Sequence, residues 1–188
     1  MNEKLYLDAQ TLLEDSWRLG AMVADSGFRP TFIVAIWRGG VPIGVAVQEM
    51  LRARGIKADH IAIRTASYEG IDGRKNEVQV YSMNYLVKNV ECGDCLLIVD
   101  DVFDTGRSIE AVIGHLRLKA RANAPEEVKV AVPYYKPDRN QTDREPDYYL
   151  HETDRWLKFP HSLEGLTADE IFEKRPELAK ILEEADRR

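Results

Sequence analysis

Hydrophobic residues along this chain fall into two repeating patterns. Short apolar runs rich in branched residues at 31–36, 61–64, 78–81, 96–99, 128–135 and 148–150 are too brief for helices and read as strands, the unbroken ones as strands buried on both faces. Elsewhere apolar residues recur at spacings of three and four, the helical signature. Such stretches cover 8–24, about 42–54, the run from Ser108 (Ile109, Val112, Ile113, Leu116), 167–172 and 176–185. In the first helix Leu12, Leu13, Ser16, Gly20 and Val23 share one face, with Glu14, Asp15 and Arg18 elsewhere. Gly27 stops that helix, and Thr167 and Arg175-Pro176 carry start signals for the last two. Strands alternating with helices predict an α/β fold with a central, mostly parallel sheet flanked by helices.

One turn concentrates polar chemistry. The run 96–99 ends in Asp100-Asp101, a third carboxylate follows at Asp104, and Thr105-Gly106-Arg107-Ser108 leads into a helix. Open α/β sheets bind ligands at such strand-to-helix turns. Gly106 permits a tight bend, Thr105 and Ser108 bring hydroxyls, and the successive amides of 104–108 form an anion nest suited to a phosphate. Asp100 and Asp101 suit sugar hydroxyls, directly or through Mg2+. Asp104 is a candidate proton acceptor. The plainer alternative is an acidic loop capping the helix through Asp104 or Thr105. A receiver domain also places paired acids after a strand, but needs them near its start and leaves the Thr-Gly-x-Ser turn unexplained.

A second turn of this kind follows the strand at 31–36. Trp37-Arg38-Gly39-Gly40 supplies a cation beside exposed amides, although the same residues would serve an ordinary tight turn. The segment 65–77, with Ser67, Tyr68, Gly70, Gly73, Arg74 and Lys75, reads as a long polar loop, either functional or a mobile hairpin tip. Another polar loop is expected over 138–146.

Composition narrows the setting. The 188 residues suit one domain spanning 1–188, and 44% hydrophobic with 31% charged content describes a globular protein. The net charge of −6 argues against nucleic acid as a partner. No apolar stretch reaches membrane-spanning length and the N-terminus is no signal peptide, so the expected location is the cytoplasm, away from membranes. Cys92 and Cys95 cannot complete a zinc site by themselves, and Cys95 opens a strand, so the pair reads as a turn with two incidental thiols.

Ile98-Val99-Asp100-Asp101-x-x-Asp104-Thr105-Gly106-x-Ser108 resembles the signature of the type I phosphoribosyltransferases, which use phosphoribosyl pyrophosphate (PRPP). The likeness covers roughly 31–160. It implies a mobile loop, a small C-terminal hood, a homodimer or homotetramer, and Mg2+ held by Asp100 and Asp101 through ribose, pyrophosphate and water. PRPP would be bound by Arg38, Gly39, Ser67, Tyr68, Asp100, Asp101, Asp104, Thr105, Gly106, Arg107 and Ser108, with Asp104 catalytic. Ser67-Tyr68 matches the pair on the loop that closes over the reacting ribose, where water must be excluded.

Within that family the chain looks like a purine (hypoxanthine or xanthine–guanine) phosphoribosyltransferase. Lys136 resembles the lysine that donates to a purine 6-oxo group, Trp156 resembles the aromatic that stacks on the base, and the Leu157 backbone would face the purine 2-position. Taken singly, Lys136 could be a solvated lysine and Trp156 a core tryptophan. The implied substrates are PRPP and a purine base, the products a nucleoside monophosphate and pyrophosphate. Three departures stand out: Ser162 replaces an expected second-metal aspartate, for which Glu152, Asp154 or Glu164 could substitute, and Arg107 and Ser108 replace residues usual in the purine enzymes. The rivals are a phosphoribosyltransferase for another base and a PRPP-sensing regulator without catalysis.

Overall fold

The computed structural model describes residues 4–68 and 77–186, with the backbone alone at 67, 68, 77 and 186. Its elements are β1 (Lys4–Tyr6), α1 (Ala9–Asp25), β2 (Phe32–Trp37), α2 (Gly40–Ala53), β3 (Asp59–Tyr68), β4 (Glu77–Tyr81), α3 (Asn84–Asn89), β5 (Cys95–Val99), β6 (Val102–Phe103), α4 (Arg107–Ala120), β7 (Glu127–Tyr135), β8 (Tyr148–Glu152), β9 (Trp156–Lys158), α5 (Ala168–Lys174) and α6 (Pro176–Asp186). The described chain divides into two compact units, 10–154 and 1–9 with 155–188.

The larger unit is built on one sheet in the order β4-β3-β2-β5-β7, with β8 on the far edge of β7. All its pairings are parallel except β3 with β4. Alternate residues of the central strands, Phe32, Val34, Ile36, Leu96, Ile98, Val130 and Val132, pack against Leu86 of α3 and Ile109, Val112, Ile113 and Leu116 of α4. Each such side chain removed from water contributes about 1.5–3 kcal/mol. The opposite face carries α2, so close that a Cβ on Gly44 would sit 2.8 Å from the Ala35 Cβ. The chain leaves β2 through α2 toward β3 on one side, and leaves β5 and β6 through α4 toward β7 on the other. Because β2 and β5 are neighbours, a crevice opens outside their carboxyl ends, the position where such sheets take ligands.

β6 continues β5 in register: Val99 pairs with Ala131 and Val102 with Tyr134, the same offset of 32. Asp100 and Asp101 interrupt the ladder opposite Val132 and Pro133, where proline has no N–H to offer. The strand pauses for the two acids and then resumes.

The smaller unit joins the chain ends. β1 and β9 pair in parallel (Lys4 with Trp156, Leu5 with Leu157, Tyr6 with Lys158), and the Leu7 amide donates to the Lys158 carbonyl at 3.0 Å. Leu7, Leu157 and Phe159 are buried. Thr167 and Glu170 form a reciprocal cap on α5, and Glu170 also pairs with Lys4.

Several expectations are corrected. The strand placed at 61–64 runs from Asp59 to Tyr68, so Ser67 and Tyr68 lie on a strand, paired by backbone register with Val78 and Glu77, and not in a loop. The expected mobile loop falls at 69–76, outside the described residues. Asp15, placed off the apolar face, is 3% exposed because the His151 Nε2 lies 2.7 Å from it and Arg18 Nη1 donates to it at 2.7 Å. Leu13, assigned to that face, is partly exposed. The loop at 138–146 is preceded and entered by a 3-10 turn, Pro137–Arg139. No described helix is long and apolar enough to cross a membrane. Cys92 and Cys95 are both free thiols.

Candidate active site

Two turns meet at the crevice. After β2 the Trp37–Arg38 peptide is cis, and α2 starts at Gly40. A Cβ on Gly39 would lie 1.9 Å from Asp101 Oδ2, and one on Gly40 would lie 2.5 Å from the Val99 carbonyl oxygen. The acid pair therefore occupies the space that side chains at 39 and 40 would need. Burial and the neighbouring Asp101 charge push the Asp100 carboxyl well above the usual carboxylate range, while amides of Asp101 and Gly40 donate to it and partly offset the shift. Arg38 is exposed at the mouth of the same turn.

The second turn is held open by glycine. Gly106 has φ +76°, and a Cβ there would meet Thr142 Oγ1 at 2.5 Å and the Phe103 ring at 2.8 Å. Gly106, which has no side chain, is the N-cap of α4, so neither Asp104 nor Thr105, the two caps considered, holds that position. The Arg107 amide donates to Thr105 Oγ1 at a long 3.5 Å. Asp100, Val102 to Gly106, Ser108 and Ile109 line a small cavity of about 70 Å3. Amides at this helix start, with two hydroxyls, suit a phosphate.

Asp104 is instead gripped by two cations. Lys136 Nζ donates to Oδ2 at 3.3 Å, and Arg139 Nε lies 2.8 Å from Oδ1. The Arg139 contact is a charge contact without an aligned hydrogen bond, so the buried Oδ1 retains accepting capacity. Lys136 is 5% exposed, which removes the reading of a solvated lysine. Burial and Asp138 raise the Asp154 carboxyl above its usual range, and the charges of Lys136 and Arg139 oppose that rise. Among Glu152, Asp154 and Glu164, Asp154 is the acid drawn into this cluster.

Arg38, Gly39, Asp100, Asp101, the 104–108 turn and Lys136 all belong to the larger unit. Trp156, 55% exposed, and Leu157 belong to the smaller one. The side chains of Ser67 and Tyr68 lie outside the described residues. Arg139 escaped the sequence reading, as did the support behind the nest, where the Gln141 amide donates to the Thr105 carbonyl at 3.1 Å and Asn140 accepts from Thr142. The signal for Arg139 was its spacing, one 3-10 turn beyond Lys136.

Hard oxygen donors dominate the acid pair, and two adjacent carboxylates with one buried favour a cation or hydroxyl donors beside them. Among the described residues no group of three or more His, Cys, Asp or Glu is arranged to hold a metal alone. The residues fit Mg2+ if substrate and water oxygens complete its shell.

No curated protein matches the chain. Among solved structures it is similar to a purine phosphoribosyltransferase from Pyrococcus horikoshii (24% identity over 89% of this chain and 98% of that one, TM-score 0.70). A hypothetical protein from Neisseria gonorrhoeae with bound ppGpp is similar at 20% identity, 96% and 98% coverage and a TM-score of 0.72. A Helicobacter pylori xanthine-guanine-hypoxanthine phosphoribosyltransferase is similar at 20% identity, 84% and 92% coverage and a TM-score of 0.63. At these identities the likeness is one of fold. The phosphoribosyl transferase domain family model matches residues 5–170, taking in both units and both turns, and the chain belongs to that family.

Proposed function

We propose that the protein transfers the 5-phosphoribosyl group from PRPP to N9 of a 6-oxopurine, releasing a nucleoside 5′-monophosphate and pyrophosphate. The supporting observation is Asp104 held between Lys136 and Arg139 at the mouth of the phosphate nest. The amides of 104–108, with Thr105 and Ser108, hold the 5′-phosphate, and Arg107 flanks it. Asp100 and Asp101 orient the ribose hydroxyls. Mg2+ bound there through substrate oxygens would offset the charge of the pyrophosphate. Arg38 and the Gly39 amide receive that leaving group as its negative charge grows. Asp104 Oδ1 accepts the N7 proton, which raises the nucleophilicity of N9, while Lys136 turns toward the 6-oxo group and Arg139 keeps Asp104 paired. Trp156 stacks on the base, the Leu157 backbone faces its 2-position, and Ser67 and Tyr68 cover the reacting ribose. The chain acts as a single domain over 1–188, in the cytoplasm, as a homodimer or homotetramer.

Turnover measured with PRPP and Mg2+ against hypoxanthine, guanine, xanthine, adenine, uracil and orotate in parallel tests the assignment. Asp104→Asn is expected to lower kcat by about 100-fold or more, the range for a lost general base, with PRPP binding nearly retained. Unchanged turnover refutes the base. A second reading, ligand binding without turnover, draws on the similar Neisseria protein solved with ppGpp. Tight ppGpp binding with no nucleotide formed from any base would favour it.

A further inference from the structure

Lys158 is a buried cation that the mechanism above leaves unused. It is 4% exposed, and its ammonium donates to the carbonyls of Glu164 at 2.8 Å and Gly165 at 3.1 Å, and lies 5.2 Å from the centroid of the Trp156 ring. Among the described residues its partners are thus two peptide carbonyls and an aromatic face, with no carboxylate. Burying an ammonium without a carboxylate is costly, and an apolar side chain would fill this position on β9 at less expense. The charge therefore calls for a reason beyond packing.

Geometry supplies one. Trp156 and Lys158 are two residues apart on a strand, so both project to the same side, with the ammonium over one face of the indole. That leaves the other face of a 55% exposed ring for a planar ligand. The same ammonium gathers in the segment after β9. There the Ser162 amide donates to Phe159 and the Leu166 amide to Leu163, forming two tight turns. Gly165 has φ +68°, and a Cβ on it would stand 2.9 Å from the Lys158 Nζ. The strand beneath is firm, since the Lys158 carbonyl accepts from the Leu7 amide and from Arg175 Nη2 at 3.3 Å.

We propose that Lys158 is a positioning residue for base recognition: its ammonium, anchored on the Glu164 and Gly165 carbonyls, backs the Trp156 ring and fixes the plane against which the base stacks. The inference rests on the reading of Trp156 as the stacking aromatic. Lys158→Met keeps the length and removes the charge. With guanine and hypoxanthine as varied bases, it is expected to raise the KM for the base by about tenfold, the size of a lost desolvated cation–ring contact. The KM for PRPP stays within twofold, and Lys158→Arg restores most of the loss. Gly165→Ala, which crowds the ammonium while keeping its charge, is expected to give the same split and serves if Lys158→Met does not fold. A base KM within twofold of wild type in both variants overturns the proposal, as does an equal rise in both KM values. Trp156→Ala measured alongside separates the two ideas. A raised base KM there with Lys158→Met silent overturns the positioning role alone, whereas an unchanged base KM in Trp156→Ala overturns the stacking role and this inference together.

Discussion

Adding one methyl group at Gly39 perturbs the junction of the two turns with little else changed. Gly39 has φ −63° and ψ −36°, a conformation alanine adopts freely, so backbone strain plays no part. The new Cβ would stand 1.9 Å from Asp101 Oδ2 and 2.2 Å from its Cγ, where ordinary contact begins near 3.4 Å. The Asp101 carboxylate must retreat by about 1.5 Å, or the α2 turn must move by as much. A misplacement of about 1 Å in a positioning group can cost about 100-fold in rate. That corresponds to about 2.7 kcal/mol, at about 1.36 kcal/mol per decade. The stability cost should stay small, because the atoms in the way are the far end of the Asp101 side chain, which can rotate aside, and replacing glycine restricts the unfolded chain and returns about 0.4–1 kcal/mol. The assay is steady-state kinetics with PRPP varied at saturating base and Mg2+, with thermal unfolding run in parallel. Gly93→Ala, whose Cβ would meet nothing within 4 Å, is the control. Expected is a fall of about 100-fold in kcat/KM for PRPP at nearly constant Tm, with Gly93→Ala at wild-type rate. If Gly39→Ala retains kcat/KM within twofold, the close approach of this turn to Asp101 has no catalytic meaning.

Three further outcomes are expected. Lys136→Ala should narrow the preference for 6-oxo over 6-amino purines; adenine rejected as strongly as before would assign that discrimination to another group. Arg139→Gln leaves Asp104 dependent on Lys136 alone, so kcat should fall by about tenfold, the worth of one charge-assisted contact, and a kcat unchanged for every base would remove Arg139 from the site. The Lys4 hydrogen bond, with help from the Thr167 amide, lowers the Glu170 carboxyl from 4.5 to about 2. The folded state then binds fewer protons than the unfolded state across that interval, so this stabilisation is present above about pH 4.5 and lost as pH falls toward 2. Thermal melts of wild type and Glu170→Gln should converge over that window, and a constant gap would contradict the link.

Local chemistry was readable where a few adjacent residues do the work. The turn at 100–108 carries its glycine, hydroxyls and acids within nine positions, and the apolar stripe of α4 announces itself by spacing alone. Contacts between distant residues were not readable. β1 and β9 are three-residue strands far apart in the chain, too short to show a period. Thr65 to Tyr68 looked like loop because an antiparallel edge hairpin tolerates polar side chains. Asp15 sits among charged neighbours on its helix, and the partner that buries it, His151, arrives from β8. Arg139 gained its role in the same way, from a carboxylate 35 positions earlier.

The shared offset on either side of Asp100-Asp101 makes the acid pair a spacer of fixed length. Side chains along a strand alternate faces, so deleting one aspartate would turn Phe103, now 1% exposed, outward and carry Val102 inward in its place. The number of carboxylates here is consequently tied to the parity of the sheet. Point substitutions at 100 or 101 leave that parity untouched, whereas adding or removing a single residue between Val99 and Val102 would dismantle the core behind the site.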